Sequence, residues 1–135
     1  VKDVDFGRHL ITIYDGKGKK DRPTMFPESL EEDMKQHLKH VKILHERDLE
    51  DGHGRVHLPD ALERKYPNAS REWHWQYAFP SKGLSRDPRG DDELKRHHLT
   101  DRSIQTALKK ATRTARIPKN VTCHVLRHTF ATHLL

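Results

Sequence analysis

His124 and Arg127 stand three residues apart in the closing stretch Val121-Thr122-Cys123-His124-Val125-Leu126-Arg127-His128-Thr129-Phe130-Ala131-Thr132-His133-Leu134-Leu135. On a helix that spacing puts both side chains on one face. Thr122 is placed to cap the helix, and Leu126, Phe130 and Leu134 recur every fourth residue as a core-facing stripe requires. A planar, permanently charged guanidinium and an imidazole beside free N–H groups at a helix start suit a phosphate. A second candidate is Lys17, between two glycines in Asp15-Gly16-Lys17-Gly18-Lys19-Lys20-Asp21-Arg22. Taken alone, such a turn reads as an ordinary charged hairpin. It is not a Walker A loop, because the Lys-Ser/Thr pair and its spacing are missing.

The elements that must position these groups follow from local patterning. Short β-like runs around Val4 and Phe6 and over Leu10–Tyr14, then Pro23–Phe26, predict an antiparallel hairpin with Lys17 at its turn. Ser29 and Glu32 have capping-box spacing, and the stripe from Leu30 through Met34, Leu38, Val41, Leu44 and Leu49 predicts a helix over 30–50, stopped by Gly52. His37, His40 and His45 fall mostly off that stripe and are expected in solvent. Arg55–Leu58 is expected as a strand, 59–66 as a short helix opened by Pro59, and 82–96 as a loop or exposed hairpin. Thr100 is expected to cap a further helix with Ile104, Ala107, Leu108, Ala111 and Ala115 inward, ended by Pro118. The fold class is α/β in the α+β sense: mainly helical, with a small antiparallel sheet near the N-terminus.

Charge narrows the partner. The 26 Lys and Arg exceed the 20 Asp and Glu, and the excess is uneven. Residues 1–60 carry 11 basic and 13 acidic side chains, residues 61–135 carry 15 and 7. A basic half points to a polyanion. One cysteine excludes an internal disulfide framework. No apolar run approaches the roughly 20 residues that span a bilayer. Twelve histidines, with His124 and His128 at helical ligand spacing, raise a metal-binding alternative. A zinc-protease helix needs Glu where Val125 stands, and Arg127 would oppose a cation. The expectation is no metal and no cofactor.

Five of the nine Phe, Trp and Tyr residues fall between Tyr66 and Phe79, interleaved with Arg71, His74 and Gln76. They fit either a satellite core or a platform on which unpaired bases stack. Lys109, Lys110, Arg113 and Arg116 form a basic helical face that can lie along a phosphate backbone.

The segment His124-Val125-Leu126-Arg127-His128-Thr129-Phe130-Ala131-Thr132-His133-Leu134-Leu135, with Cys123 before it, resembles the His-x-x-Arg box of tyrosine recombinases, the phage-integrase family. Residues 58–69, Glu72-Trp73, Trp75-Gln76-Tyr77, Phe79-Pro80-Ser81 and Arg96-His97-His98-Leu99 resemble integron integrases in particular, which carry an insertion here. The resemblance covers essentially the whole chain. It implies a single partial catalytic domain over 1–135 with the insertion and its loop over 53–98. It also implies metal-free and nucleotide-free phosphoryl transfer, in which a tyrosine attacks a DNA phosphodiester, forms a 3′-phosphotyrosyl bond, and is displaced by a 5′-hydroxyl.

In that chemistry Arg127 meets charge on the nonbridging oxygens and Lys17, or else Lys19 or Lys20, protonates the leaving oxygen. His124 holds the phosphate or manages the nucleophile's proton, and the residues leave both roles open. Trp73, Trp75, Arg96, His97, His98, Lys109, Lys110 and Arg113 are the expected nucleic-acid contacts. The resemblance implies that the partner is DNA, both double-stranded sites and folded single-stranded cassette sites, in the bacterial cytoplasm and without a membrane. The family's first Arg would precede Val1, and its second His or Trp and its nucleophile would follow Leu135. Tyr14, Tyr66 and Tyr77 all precede the box. The 135 residues are therefore expected to be a piece of a longer protein, inactive and monomeric alone, whose parent assembles as a tetramer on DNA. The rival reading is a DNA-binding module without catalysis.

Overall fold

A computed structural model describes residues 1–15, 19–86 and 93–133. The chain forms two compact units, Val1–His98 and Leu99–Leu135. About half of it is helical, and the described strand pairings are antiparallel, as an α+β class requires.

In the first unit β1 (Val4–Asp5), β2 (Leu10–Ile13) and β3 (Arg22–Met25) form a sheet in that order. The register Leu10↔Met25 and Ile13↔Arg22 makes β2 and β3 the expected hairpin. Pro23 is tolerated in β3 because that strand is an edge, where a missing N–H costs no ladder bond. Lys17, with Gly16 and Gly18, lies outside the described residues.

Helix α1 (Glu31–Glu50) begins differently from the capping-box expectation. The N–H of Leu30 bonds the Pro27 carbonyl (3.0 Å) in a 3-10 turn over Glu28–Leu30, so Ser29 caps nothing. Glu32 reaches forward to Gln36 (3.3 Å) instead of back. Three acidic residues in the first turn complement the helix dipole in place of a cap. The far end is as expected. Gly52 takes the left-handed position, at φ 84°. Its N–H bonds the Leu49 carbonyl, and the His53 N–H bonds that of Asp48 at 2.7 Å. This is a Schellman closure.

The buried face of α1 is Leu38, Val41, His45 and Asp48. It keeps helical spacing but turns polar in its second half. Exposure of His45 to solvent is therefore corrected: only 7% of its surface remains accessible. His37 is also engaged, bonding the Ala78 carbonyl (2.8 Å) and stacking on Phe79 at 4.9 Å.

Residues 54–58 run extended, with Gly54, Val56 and Leu58 buried and Arg55 and His57 exposed between them. They join no ladder, contrary to the expected strand. Their period-2 burial is real, but the N–H of Val56 bonds the Ser70 carbonyl (2.9 Å) in an irregular segment. Val56, Leu58 and Ala69 form a core against which Leu62, Trp75 and Tyr77 pack. Helix α2 (Asp60–Lys65) follows Pro59, and β4 (Ser85–Arg86) pairs with β5 (Leu94–Lys95) as expected, although Lys95 is buried rather than exposed.

In the second unit α3 (Asp101–Thr114) is capped by Thr100, whose hydroxyl accepts from the Ser103 N–H (3.3 Å). It ends before Pro118, because Arg116 adopts φ 53° and the N–H groups of Arg116 and Ile117 close onto Arg113 and Thr112. Helix α4 (Cys123–His133) starts as expected, with the Val125 N–H bonding the Thr122 hydroxyl (3.3 Å). The inward stripes are not buried. Ile104, Leu126 and Phe130 stay 43–49% exposed, since two short helices offer too little surface to cover each other's apolar faces. Leu134 lies outside the described residues.

Gly54 packs so close to α1 that a Cβ there would meet Leu49 side-chain carbons at 2.5 Å and its Cα at 3.0 Å. Gly54→Ala is therefore expected to destabilise the first unit by about 1–3 kcal/mol through overpacking. Urea unfolding of the two proteins measures it, and an unchanged midpoint would contradict the close approach.

Candidate functional site

The sequence-selected residues fall into two groups, one in each unit. In the second unit α4 presents His124, Arg127 and His128. The Nε2 atoms of His124 and His128 lie 2.9 Å apart, so one ring donates a hydrogen bond to the other. Arg127 is exposed and makes no ion pair among the described residues. His124 also lines a groove of about 480 Å³ with Lys109 of α3, Asn120, Thr122 and Cys123. A helix start, an imidazole and an ammonium thus meet in one concavity. Lys110 and Arg113 are exposed on α3. Residues 99–135 hold seven Lys and Arg against one acidic residue, Asp101, whereas residues 1–98 hold 19 of each. The whole net charge of +6 resides in the second unit.

In the first unit the aromatic run splits its rings between core and surface. Trp75 packs on the Val56 cluster and also lines a groove of about 420 Å³, with Lys2, His57, His74, Tyr77 and Phe79 among its walls. Tyr66 lies 6.5 Å from Trp75, tilted by 36°. Lys65 sits over Tyr66, and Lys2 over both Trp75 and Tyr14 at 4.8 Å. Trp73 is half-buried, its ring 6.1 Å from His45. Cations set against aromatic faces here make a surface suited to flat, negatively flanked groups.

Arg96 turns inward. Its Nε and Nη2 donate to the Asp48 carboxylate at 2.5 and 2.8 Å, and Nη1 donates to the carbonyls of Ser81 and Lys82. Four of its five N–H groups thus go to protein oxygens. The Asp48 carboxylate raises the Arg96 pKa above its usual value. This clasp fixes the segment that follows β5 and carries His97 and His98 against α1. The Ser81 N–H bonds the His97 carbonyl at 2.6 Å, and the His98 ring meets the edge of Tyr77 at 5.4 Å. The Nε2 of His97 is buried and unpartnered among the described residues.

His45 and Asp48 are site-supporting residues that patterning overlooks, because both are polar. Their places at four and seven residues beyond Val41 are the signal that marks the inner face. The His45 Nε2 donates to the Arg71 carbonyl (3.0 Å), tying α1 to the aromatic run. Burial lowers its pKa, partly opposed by that carbonyl and by Asp48. The cavity beside it and Arg96 measures about 20 Å³. That is room for a water, not for a ligand.

With this geometry in place, comparison with known proteins assigns the class: the chain belongs to the phage integrase family, whose model matches residues 1–135. Curated relatives from Escherichia coli and Pseudomonas aeruginosa, both named Integrase/recombinase, are each 44% identical over all 135 residues. The chain spans 40% of the length of these relatives.

Two outcomes follow for the first unit. Asp48→Ala leaves a buried guanidinium unpaired and is expected to cost about 3–5 kcal/mol, part of which Arg96→Met in the same chain restores. Thermal melting of the single and double variants measures both. The depressed His45 pKa means that the unfolded chain takes up the proton more readily. Stability is therefore complete above the ordinary histidine pKa of about 6.5 and declines as pH falls from there toward the lower folded value. A melting series descending from neutral to mildly acidic pH should fall less steeply in His45→Gln than in the parent chain; parallel curves would contradict the assignment.

Proposed function

We propose that this chain is the central part of the catalytic domain of an integron-type tyrosine recombinase, which integrates and excises gene cassettes through a 3′-phosphotyrosyl intermediate. The observation that carries the subfamily reading is the groove lined by Trp75, Tyr77 and Lys2. It offers a ring face, a cation and a volume within the usual range for a ligand site. An extrahelical base of a folded single-stranded cassette site is the ligand it suits, with His97 and His98 held nearby by the Arg96 clasp. In this reading residues 53–98 are an insertion within one catalytic domain that includes all 135 residues.

The catalytic assignment keeps Arg127 on the scissile phosphate and His124 either on that phosphate or on the nucleophile's proton, with Lys109, Lys110 and Arg113 along the flanking backbone. Lys17, or else Lys19 or Lys20, supplies the proton to the departing 5′-oxygen. Exposure of Arg127 and its freedom from ion pairs among the described residues support its role, since a phosphate needs an uncommitted fork. No metal or cofactor takes part. The parent protein acts as a tetramer on DNA in the bacterial cytoplasm. The 135 residues by themselves are monomeric and form no covalent adduct, since all three tyrosines precede the box.

Binding of a hairpin cassette-type DNA with extrahelical bases, compared with the same hairpin fully paired, tests the proposal. The chain should prefer the bulged form, and Trp75→Ala should erase that preference while leaving affinity for paired DNA. Arg127→Ala should weaken both DNAs alike, because it contacts phosphate. Equal affinity of the unaltered chain for the two hairpins would leave only a general DNA-binding module. A denaturing gel showing a protein–DNA adduct with the isolated chain would overturn its inactivity.

A further inference from the structure

Among the described residues, Lys2 is the one lysine or arginine that lines the groove beside Trp75. Lys2 Nζ lies 4.8 Å from the ring centroids of both Trp75 and Tyr14, and 2.9 Å from the Asp3 carboxylate. Its main-chain N–H bonds the His74 carbonyl at 2.9 Å, which fixes the base of the side chain against the aromatic run. The side chain is about one-third exposed, so the ammonium sits at the mouth of the groove. Without DNA it covers the ring face on which a base would stack.

We propose that Lys2 is a specificity-determining residue of this groove: its ammonium leaves Trp75 when an unpaired base stacks there and binds the phosphate flanking that base. The proposal rests on the reading that extrahelical bases enter the groove. Three features argue for the exchange. A base on the indole face replaces a cation–π contact by stacking, so the ring loses no partner. The flexible four-carbon stem lets the ammonium move while the backbone stays pinned. Its three N–H groups can serve Asp3 and a phosphate together. Asp3 holds the ammonium at the mouth, and it penalises phosphates that approach without the lysine between them. The cation thereby couples base insertion to backbone contact, so that an unpaired nucleotide is favoured over either a free base or a paired strand.

The test uses Lys2→Met, Lys2→Arg and Trp75→Ala in the chain, with fluorescence anisotropy on the bulged and fully paired hairpins over a series of salt concentrations. Lys2→Met should weaken binding to the bulged hairpin about tenfold and lower the slope of log affinity against log salt by about one. It should leave the paired hairpin unchanged, and Lys2→Arg should restore both affinity and slope. Unchanged or tighter binding of Lys2→Met, with Trp75→Ala still erasing the preference for the bulged hairpin, sinks the role of Lys2 and leaves the groove reading standing. If Trp75→Ala has no effect on the bulged hairpin, the groove reading itself fails. Should Lys2→Met melt early, the Lys2→Arg slope decides: an arginine that keeps the fold and lacks the slope contribution also overturns the proposal.

Discussion

The first unit depends on one charged contact held out of water. Asp48 and Arg96 are far apart in sequence and meet with side chains 9% and 14% accessible. Removing two charges from water is costly. The pair persists because Asp48 takes two donors and the remaining guanidinium groups find the carbonyls of Ser81 and Lys82. A planar fork meets four oxygens in one place, which a lysine could not do. In consequence the second hairpin, with no large apolar face of its own, is fastened to the longest helix. The polar half of α1 is thus an attachment site for the aromatic segment and the hairpin together, with His45 holding Arg71 one turn before Asp48 holds Arg96.

Much of the fold was legible in local patterning, and the exceptions are physical. Gly52, Thr100 and Thr122 marked element ends because each performs a backbone task that few residues can. The first hairpin followed from alternation around a glycine-punctuated turn. Ser29 misled because Pro27 starts a 3-10 turn that moves the helix start past the capping box. Pro118 misled because Arg116 accepts a left-handed conformation earlier, one that side-chain type would assign to glycine. Arg55–Leu58 has the burial rhythm of a strand without a partner strand, and rhythm alone cannot report pairing.

The site was legible in composition more than in geometry. Basic clustering pointed to a polyanion, the Tyr66–Phe79 run left core and stacking open, and the structure places Trp75 both against the Val56 core and on a groove wall. Arg96 shows the limit of reading charge from sequence. An arginine beside two histidines in a basic stretch looks like a DNA contact, yet its fork is consumed by a distant carboxylate that no local window contains. The same blindness hid His45 and Asp48, whose spacing fits the buried face while their chemistry argues against it.

The partition of charge has a kinetic meaning. Residues 1–98 are balanced and residues 99–135 carry the entire surplus, so the far field that a polyanion senses originates in α3, α4 and the segment joining them. Capture from a distance belongs to that short stretch and fades as ions screen it. In the proposed function, discrimination at contact falls to rings and cavities whose grip is short-ranged and far less sensitive to ionic strength. With the proposed partner, a molecule arranged in this way would find any DNA quickly at low salt and become choosier as salt rises, because screening removes the indiscriminate attraction first.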